Sequence, residues 1–168
     1  LASNRKCSRL GFSCCLTELI ELETVNVEEL IEIGRKFLSN SSKDALITKE
    51  ELRHMHIGFI FIYLCWIKSQ RFKQQQKGYN SLIKLALHDL NEMRKRTDIK
   101  FYIQELYLQT LIDLIKNLSQ DSDIFKTLVL TELENDFKEI WNFLSSNENP
   151  KEQSSIIQAF KSNFNLLL

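Results

Sequence analysis

Histidines and carboxylates whose spacing could hold a metal ion are the first candidates for chemistry in this chain of 168 residues. His54 and His56 stand two positions apart. On a helix this spacing places the two rings about 200° apart around the axis, so they do not converge on one ion. Asp121 and Asp123 have the spacing of paired carboxylates in a two-metal polymerase or nuclease. Because they immediately precede a stretch of helical apolar periodicity, a helix cap is the better interpretation, and we predict no metal site.

Other catalytic patterns are not found in the sequence. The chain has 4 glycines, each isolated from the others, so there is no glycine-rich loop that could hold a phosphate. No serine lies in a Gly-x-Ser-x-Gly nucleophile motif. We therefore predict no catalytic residue, no bound cofactor and no small-molecule substrate.

Two basic segments that each contain an aromatic residue are the remaining candidates for function. The first lies near Phe12 and consists of Arg5, Lys6 and Arg9. The second surrounds Phe72 and consists of Lys68, Arg71, Lys73 and Lys77. Lysine and arginine contact phosphates, and exposed aromatic rings stack on bases, so both segments could contact RNA or DNA. In the alternative, Phe12 and Phe72 belong to the core and the cations are solvated.

The chain has no net charge, but its acidic and basic residues are unevenly distributed along the sequence. It has 22 basic and 22 acidic residues, which excludes a general electrostatic attraction to nucleic acid or to an acidic membrane. Residues 18–32 contain six glutamates and no base, whereas residues 33–77 contain nine basic and three acidic residues. This pattern indicates either binding surfaces of opposite charge or solvated helix faces.

The elements that must position these residues are helices. With only 4 Gly and 1 Pro, the chain lacks the turn residues that a sandwich or barrel needs. Asn26 with Glu29, and Thr48 with Glu51, are capping-box patterns. Apolar residues recur with helical spacing in each predicted helix, and the predicted helices cover residues 5–23, 26–38, 48–69, 80–96, 103–118, 121–145 and 150–164.

The apolar stripes of these helices define the predicted core and fold. In the first two helices we expect these residues to face inward: Phe12, Cys15, Leu16, Leu19, Ile20, Val27, Leu30, Ile31, Gly34, Phe37 and Leu38. The third helix has two apolar faces and needs neighbours on both sides. We predict an all-α armadillo/HEAT-like solenoid of antiparallel helix pairs, with a closed helical bundle as the alternative.

Three further features of the sequence predict its domain organisation, the state of its cysteines and its relation to membranes. The chain begins at Leu1, and we expect residues 1–168 to be one helical-repeat-like domain and a piece of a longer protein. The four cysteines are predicted to be free, mostly buried thiols in a reducing compartment. The longest apolar run has eleven residues and ends at Ile67. As a helix it spans about 16 Å, half of a bilayer core, so we predict a buried helix and no membrane span.

Three blocks of sequence resemble the Myb-binding protein 1A / DNA polymerase phi family. The first block matches at Leu1, Ala2, Ser3, Arg9, Leu10, Gly11, Phe12, Ser13, Leu16, Thr17 and Glu18. The second block is His56–Arg71, and the third runs from Ile103 to Asp113. At Tyr107 relatives often have proline, so we expect the helix there to continue without a break.

The resemblance implies a function as well as a fold. It implies an armadillo/HEAT-like protein of the nucleus and nucleolus that takes part in ribosomal RNA transcription and ribosome biogenesis. The partners it implies are proteins, namely transcription or pre-ribosome factors, together with rRNA or rDNA. The family name suggests DNA polymerase activity, but this segment has no polymerase motif, and we predict a non-catalytic scaffold. A general helical adaptor outside the nucleolus is the third alternative.

Overall fold

The computed structural model describes residues 6–41, 47–74, 79–118, 128–129, 131–133, 136 and 140. These residues contain no strand, which confirms the all-α prediction for the described part of the chain. Its helices are α1 (Lys6–Glu21), α2 (Val27–Ser41), α3 (Lys49–Lys68), α4 (Gln70–Gln74), α5 (Asn80–Arg94), α6 (Phe101–Leu118) and the short α7 (Thr131–Leu133).

Two of these helices begin at the predicted caps. The Asn26 side-chain oxygen accepts a hydrogen bond from the Glu28 backbone N–H over 3.0 Å at the start of α2. At the start of α3, Thr48 Oγ1 accepts from the Glu51 N–H, and Glu51 Oε2 accepts from the Thr48 N–H. Because both bonds of the capping box are present, two N–H groups that lack partners within α3 are satisfied.

Helix α3 lies at the centre of the described structure. It packs against α1, α2, α4 and α6, while α5 pairs with α6 and α7 lies on α5. This position explains why α3 is apolar on two faces. Trp66 is buried as predicted, and its ring makes edge contacts with the rings of Phe72 and Tyr79, with centroid distances of 4.8 and 5.8 Å.

The stretch between the helices predicted over residues 48–69 and 80–96 begins with a short helix, α4. The buried Ser69 links it to α3: Ser69 Oγ donates to the Trp66 carbonyl over 2.7 Å and accepts from the Phe72 N–H over 3.2 Å. One hydroxyl thus ends α3 and caps α4. Phe72 is buried, so this aromatic ring is a core residue and does not stack on bases.

The apolar residues that recur with helical spacing in α5 and α6 face the core. Along α5 the buried residues include Leu82, Ile83, Ala86, Leu87 and Leu90. Helix α6 continues through Tyr107 without a break, and its buried residues include Tyr107, Leu111, Leu114, Ile115 and Leu118. Of the helix predicted over residues 121–145, Leu133 and Ile140 are described and buried. The Asp121–Asp123 pair and the helix predicted over residues 150–164 lie outside the described residues.

Helix α1 presents a different face to the core from the one predicted. Ile20 is buried and Leu16 packs against the core, but Phe12 is 54% exposed, and Cys15 and Leu19 are also exposed. A Cβ added to Gly11 would meet no atom of the described residues within 4 Å, so no described helix packs closely against Gly11. Because α1 carries apolar residues on most of its surface, periodicity alone did not identify its inner side.

The cysteines differ from the prediction in burial. All four are free, but Cys7, Cys14 and Cys15 are exposed because they lie on the outer side of α1. Cys65 is buried, and its Sγ donates to the Ser13 carbonyl over 3.4 Å, which joins α3 to α1. No helix among the described residues has the length and apolarity needed to cross a membrane.

Candidate interaction site

An apolar groove lies between α2 and α3 among the described residues. Its volume is about 240 Å³. It is lined by Leu30, Ile33, Gly34, Phe37, Leu38, Met55, Gly58, Phe59 and Ile62. Since none of these side chains carries a charge or a hydrogen-bonding group, the groove favours apolar groups and offers no catalytic chemistry.

Gly34 allows α2 to lie close to α3 at the base of this groove. A Cβ on Gly34 would lie 2.6 Å from Cδ2 of Phe59 and 3.3 Å from Cδ1 of Ile62. Both of these side chains are buried, so the clash would have to move packed groups. The predicted inward position of Gly34 is confirmed, and the absent side chain is part of the packing.

The edge of the groove is formed by exposed apolar side chains of α2. Phe37, which the stripe predicted to face inward, is 59% exposed, and Ile33 is 55% exposed. Val27, Ile31 and Leu38 are buried as predicted. Phe37 lies at the outer limit of the apolar face of α2, where α3 does not cover it. A large apolar ring held in water beside an apolar groove is typical of an interaction surface.

A polar network lies beside this groove and connects three helices. The Tyr63 hydroxyl of α3 donates to Asp89 Oδ2 of α5 over 2.7 Å. Arg35 of α2 forms an ion pair with the same carboxylate, with 3.0 Å between Nη2 and Oδ1. Tyr63 and Asp89 are buried, whereas the Arg35 side chain is partly exposed. Both carboxylate oxygens therefore have a partner, which a buried charge requires.

The pKa values in this network follow from burial. Burial raises the pKa of Asp89 above its ordinary value, although the hydrogen bond from Tyr63 and the charge of Arg35 oppose the rise. Burial also raises the pKa of Tyr63, and the neighbouring carboxylate of Asp89 adds to this effect. Tyr63 is therefore a hydrogen-bond donor at physiological pH, and the network has the properties of a structural link between helices.

The predicted nucleic-acid contacts are distributed over two separate places. Lys68 is exposed at the end of α3, and Arg9 is half-buried in α1. Lys6 and Lys73 lie in α1 and α4, and Arg5 and Lys77 lie outside the described residues. Helix α1 contacts α4. However, the residues that bond to α4 are Glu21 and Glu23, at the end of α1, which bond to Gln70 and Arg71. Arg9 stands about 18 Å from Glu21 along the axis of α1.

Arg71 is held within the chain. Its Nη2 lies 3.3 Å from Glu23 Oε1, and its guanidinium lies 6.0 Å from the centre of the Tyr79 ring. The Gln70 backbone N–H donates to Glu21 Oε1 over 3.1 Å. Two glutamates of the acidic stretch, residues 18–32, thus bond to the start of the second basic segment. The ion pair with Glu23 neutralises the charge of Arg71 within the chain.

The backbone of Glu23, whose side chain pairs with Arg71, has an unusual conformation. Its φ is 57°, in the left-handed region. The Glu23 N–H donates to the Ile20 carbonyl, and the Thr24 N–H donates to the Leu19 carbonyl. These two bonds form a Schellman motif, whose left-handed position usually holds glycine. The end of α1 therefore carries backbone strain at the residue that pairs with Arg71.

The two histidines of α3 have separate environments. His56 is buried, and its Nδ1 lies 2.8 Å from the Tyr107 hydroxyl of α6, with the rings edge to face. Burial lowers the pKa of His56 to about 4, and the nearby Arg96 contributes to this shift. His54 is half-buried on another side of α3. Among the described residues, no group of three His, Cys, Asp or Glu side chains is placed to hold a metal ion.

Sequence reasoning did not identify the link between Arg35, Tyr63 and Asp89. One signal was present: Asp89 stands three residues after Ala86, at the edge of the apolar stripe of α5. A charged residue at the edge of a buried stripe indicates a partner on a neighbouring helix. No spacing rule could identify that partner, because Arg35 lies in a helix that is distant in sequence.

Comparison with known proteins identifies the family of this chain. No curated protein and no solved structure matches the chain. The family model described as DNA polymerase phi matches residues 1–159, which is most of the chain. This match agrees with the resemblance seen in the three sequence blocks. The chain therefore belongs to the DNA polymerase phi family.

Proposed function

We propose that this chain is part of a non-catalytic scaffold that acts in the nucleolus, in rRNA transcription and ribosome biogenesis, by binding protein partners. Family membership supports the proposal. The observation that carries the binding role is the apolar groove between α2 and α3, with Phe37 and Ile33 exposed at its edge. An amphipathic helix of a transcription or pre-ribosome factor could place its apolar side chains in such a groove.

For the whole domain we propose an armadillo/HEAT-like solenoid. Helices that follow one another in the chain pack together, as α2 does with α3 and α5 with α6. In a solenoid each unit contacts its neighbours and leaves extended surfaces for partners. A closed bundle is the alternative arrangement. A solution scattering curve of the full-length protein distinguishes the two, since a solenoid is elongated and a bundle is compact.

Contact with rRNA or rDNA is a secondary part of the proposal. Among the residues of the second basic segment whose side chains are described, Lys68 is exposed, whereas Arg71 is paired with Glu23. Such contact would be made to phosphates and would carry little sequence preference. We therefore expect protein partners to contribute most of the binding.

The competing function is DNA polymerase activity, which rests on the family name. A nucleotide-incorporation assay on the full-length protein with added divalent metal separates the two functions. We expect no incorporation above the level of a chain carrying Asp121→Asn and Asp123→Asn. Incorporation by the wild type that the double variant loses would establish the polymerase function.

The third alternative is a helical adaptor that acts outside the nucleolus. Imaging of the tagged full-length protein tests the location directly, and we expect nucleolar signal. Affinity capture of the same protein, followed by identification of what accompanies it, tests the partners. The proposal predicts transcription or pre-ribosome factors among the captured proteins. Exclusively cytoplasmic signal together with unrelated partners would support the adaptor and contradict the scaffold.

A further inference from the structure

Exposed carboxylates adjoin the apolar groove on both of its helices. On α2, Glu29 stands one turn before Ile33, and Ile33 stands one turn before Phe37, so these residues form one row along the edge of the groove. On α3, Glu51 stands one turn before Met55, which lines the groove. Both glutamates are exposed. The apolar lining therefore leads into a carboxylate on each helix.

The two carboxylates lie at opposite ends of the groove. Helix α2 ends at Ser41 and α3 begins at Lys49. Because the connection is short and the two helices pack together, they run antiparallel. Glu29 lies in the first turn of α2 and Glu51 in the first turn of α3. A helix placed in the groove would therefore meet a negative charge at each end, whichever direction it runs.

The two bases of α2 are engaged by other acidic residues. Lys36 lies on the exposed side of α2, and its Nζ is 2.7 Å from Glu32 Oε1. Arg35 pairs with Asp89 of α5. Neither cation is bound to the carboxylates at the ends of the groove, so the rim of the groove keeps a negative charge that a partner can neutralise.

The carboxylate of Glu51 is also held in its ionised form. Its Oε2 accepts hydrogen bonds from the Thr48 backbone N–H and from the Thr48 hydroxyl, each over 2.8 Å. These bonds lower the pKa of Glu51, and the nearby His54 contributes in the same direction. A carboxylate that accepts such bonds is charged at neutral pH. The same bonds fix its position at the end of the groove.

We propose that the groove binds a basic amphipathic helix of a protein partner, with apolar side chains in the groove and a lysine or arginine beyond each end of the apolar stretch. This inference rests on the protein-binding role proposed above and defines the partner by its charge. The lining extends along α2 from Leu30 to Leu38, about 12 Å. Apolar residues at i, i+4 and i+7 of a partner helix cover that length, and its bases then reach Glu29 and Glu51.

The charges select the partner, and the apolar contacts supply most of the affinity. Ion pairs at an exposed rim contribute little to affinity and are screened by salt. Complementary charges nevertheless suppress wrong partners, because like charges brought together at an interface are unfavourable. An acidic helix would place its carboxylates beside Glu29 and Glu51, and the groove should reject it.

Two labelled synthetic helices test this selectivity on the full-length protein. Both carry leucine at i, i+4 and i+7. The basic peptide has lysine one turn before the first leucine and one turn after the last, and the acidic peptide has glutamate at those positions. At low salt and pH 8, fluorescence anisotropy should show that wild type binds the basic peptide about tenfold more tightly, because two attractive pairs replace two repulsive ones. The preference should shrink as salt is added.

Neutral variants identify the carboxylates responsible. The Glu29→Gln/Glu51→Gln variant should prefer the basic peptide by less than about threefold, because both end charges are removed. Glutamine at position 51 can still accept the bonds of the capping box, so the start of α3 is preserved. The matched control is Glu105→Gln, at an exposed position of α6, which should keep the preference of wild type. Phe37→Glu should lose binding of the basic peptide at least tenfold. Circular dichroism should show that all variants are folded.

Three results would overturn the proposal. The first is no binding of the basic peptide by wild type, or binding that Phe37→Glu does not weaken. The second is equal binding of the basic and acidic peptides. The third is a preference that the Glu29→Gln/Glu51→Gln variant retains in full. The second and third results leave the protein-binding role of the groove in place, since that role fails only if Phe37→Glu captures the same protein partners as wild type.

Discussion

Arg35 in α2 and Asp89 in α5 form an ion pair in which only the carboxylate is buried, with 3.0 Å between Nη2 and Oδ1. Asp89 also accepts the hydrogen bond of Tyr63 in α3. Removing Arg35 would leave a buried carboxylate with one neutral donor, and its charged form would lose its nearest cation. The pair therefore fixes α2, which forms one wall of the groove, relative to α5.

The Arg35→Gln substitution should lower the free energy of unfolding by about 2 kcal/mol at pH 7, because the buried Asp89 charge loses its partner. The matched control is Lys36→Gln, since Lys36 pairs with Glu32 at the exposed surface of the same helix. That substitution should change the free energy of unfolding little, because an ion pair in water contributes little to stability. Urea unfolding measures both values, and equal losses would show that Asp89 does not depend on Arg35.

The two described glycines of the first helices should respond to alanine with opposite sign. Gly11→Ala should raise the free energy of unfolding by about 1 kcal/mol, because alanine favours the helix and its Cβ meets no neighbour among the described residues. Gly34→Ala should lower it by about 1–3 kcal/mol, because the Cβ would lie 2.6 Å from the buried Phe59 ring. Destabilisation by Gly11→Ala would mean that another group packs against Gly11.

The contrast between these glycines separates the features that the sequence predicts from those that it does not. Helical periodicity and the caps at Asn26 and Thr48 predicted the helices, since both signals are local. Both glycines lie among apolar residues of their helices, but only Gly34 is covered by α3. Whether a given face is covered depends on residues distant in the chain, and for the same reason Phe12 and Phe37 were expected inside. The groove follows from this placement of α2 on α3 and could not be read from spacing.

Protonation of His56 should lower the free energy of unfolding at acidic pH. Its pKa is lowered from 6.5 to about 4 by burial, so the folded state favours the neutral ring. The unfolded chain binds the proton more readily between these values, and folding stability is therefore full above pH 6.5 and is lost as pH falls toward 4. The groups near His56 are Tyr107, Arg96 and Asp98.

The His56→Gln variant isolates this effect, because glutamine can keep a hydrogen bond to Tyr107 but does not titrate. Between pH 6.5 and 4, wild type should lose about 3 kcal/mol more than the variant. His54→Gln is the control for replacing a histidine of the same helix. If His56→Gln and wild type lose stability in parallel, the ring is not held neutral in the folded protein.

Salt dependence should distinguish the two basic residues that flank Ser69. If the segment binds RNA, Lys68→Ala should lower the slope of log affinity against log salt by about 0.7, the value for one phosphate contact with a single strand. Arg71→Ala should leave the slope nearly unchanged, because Arg71 is paired with Glu23. Titration of a labelled RNA at several salt concentrations measures both slopes. A larger change for Arg71→Ala would indicate that RNA displaces Glu23.

The most direct test of the proposed scaffold role is quantitative affinity capture with three forms of the full-length protein: wild type, Phe37→Glu at the groove, and Phe101→Glu as an exposed control on α6. We predict that wild type and Phe101→Glu capture the same transcription or pre-ribosome factors, and that Phe37→Glu loses at least one of them tenfold or more. Capture of the same factors in equal amounts by all three forms, or of no such factor by wild type, would contradict the proposal that this groove binds protein partners.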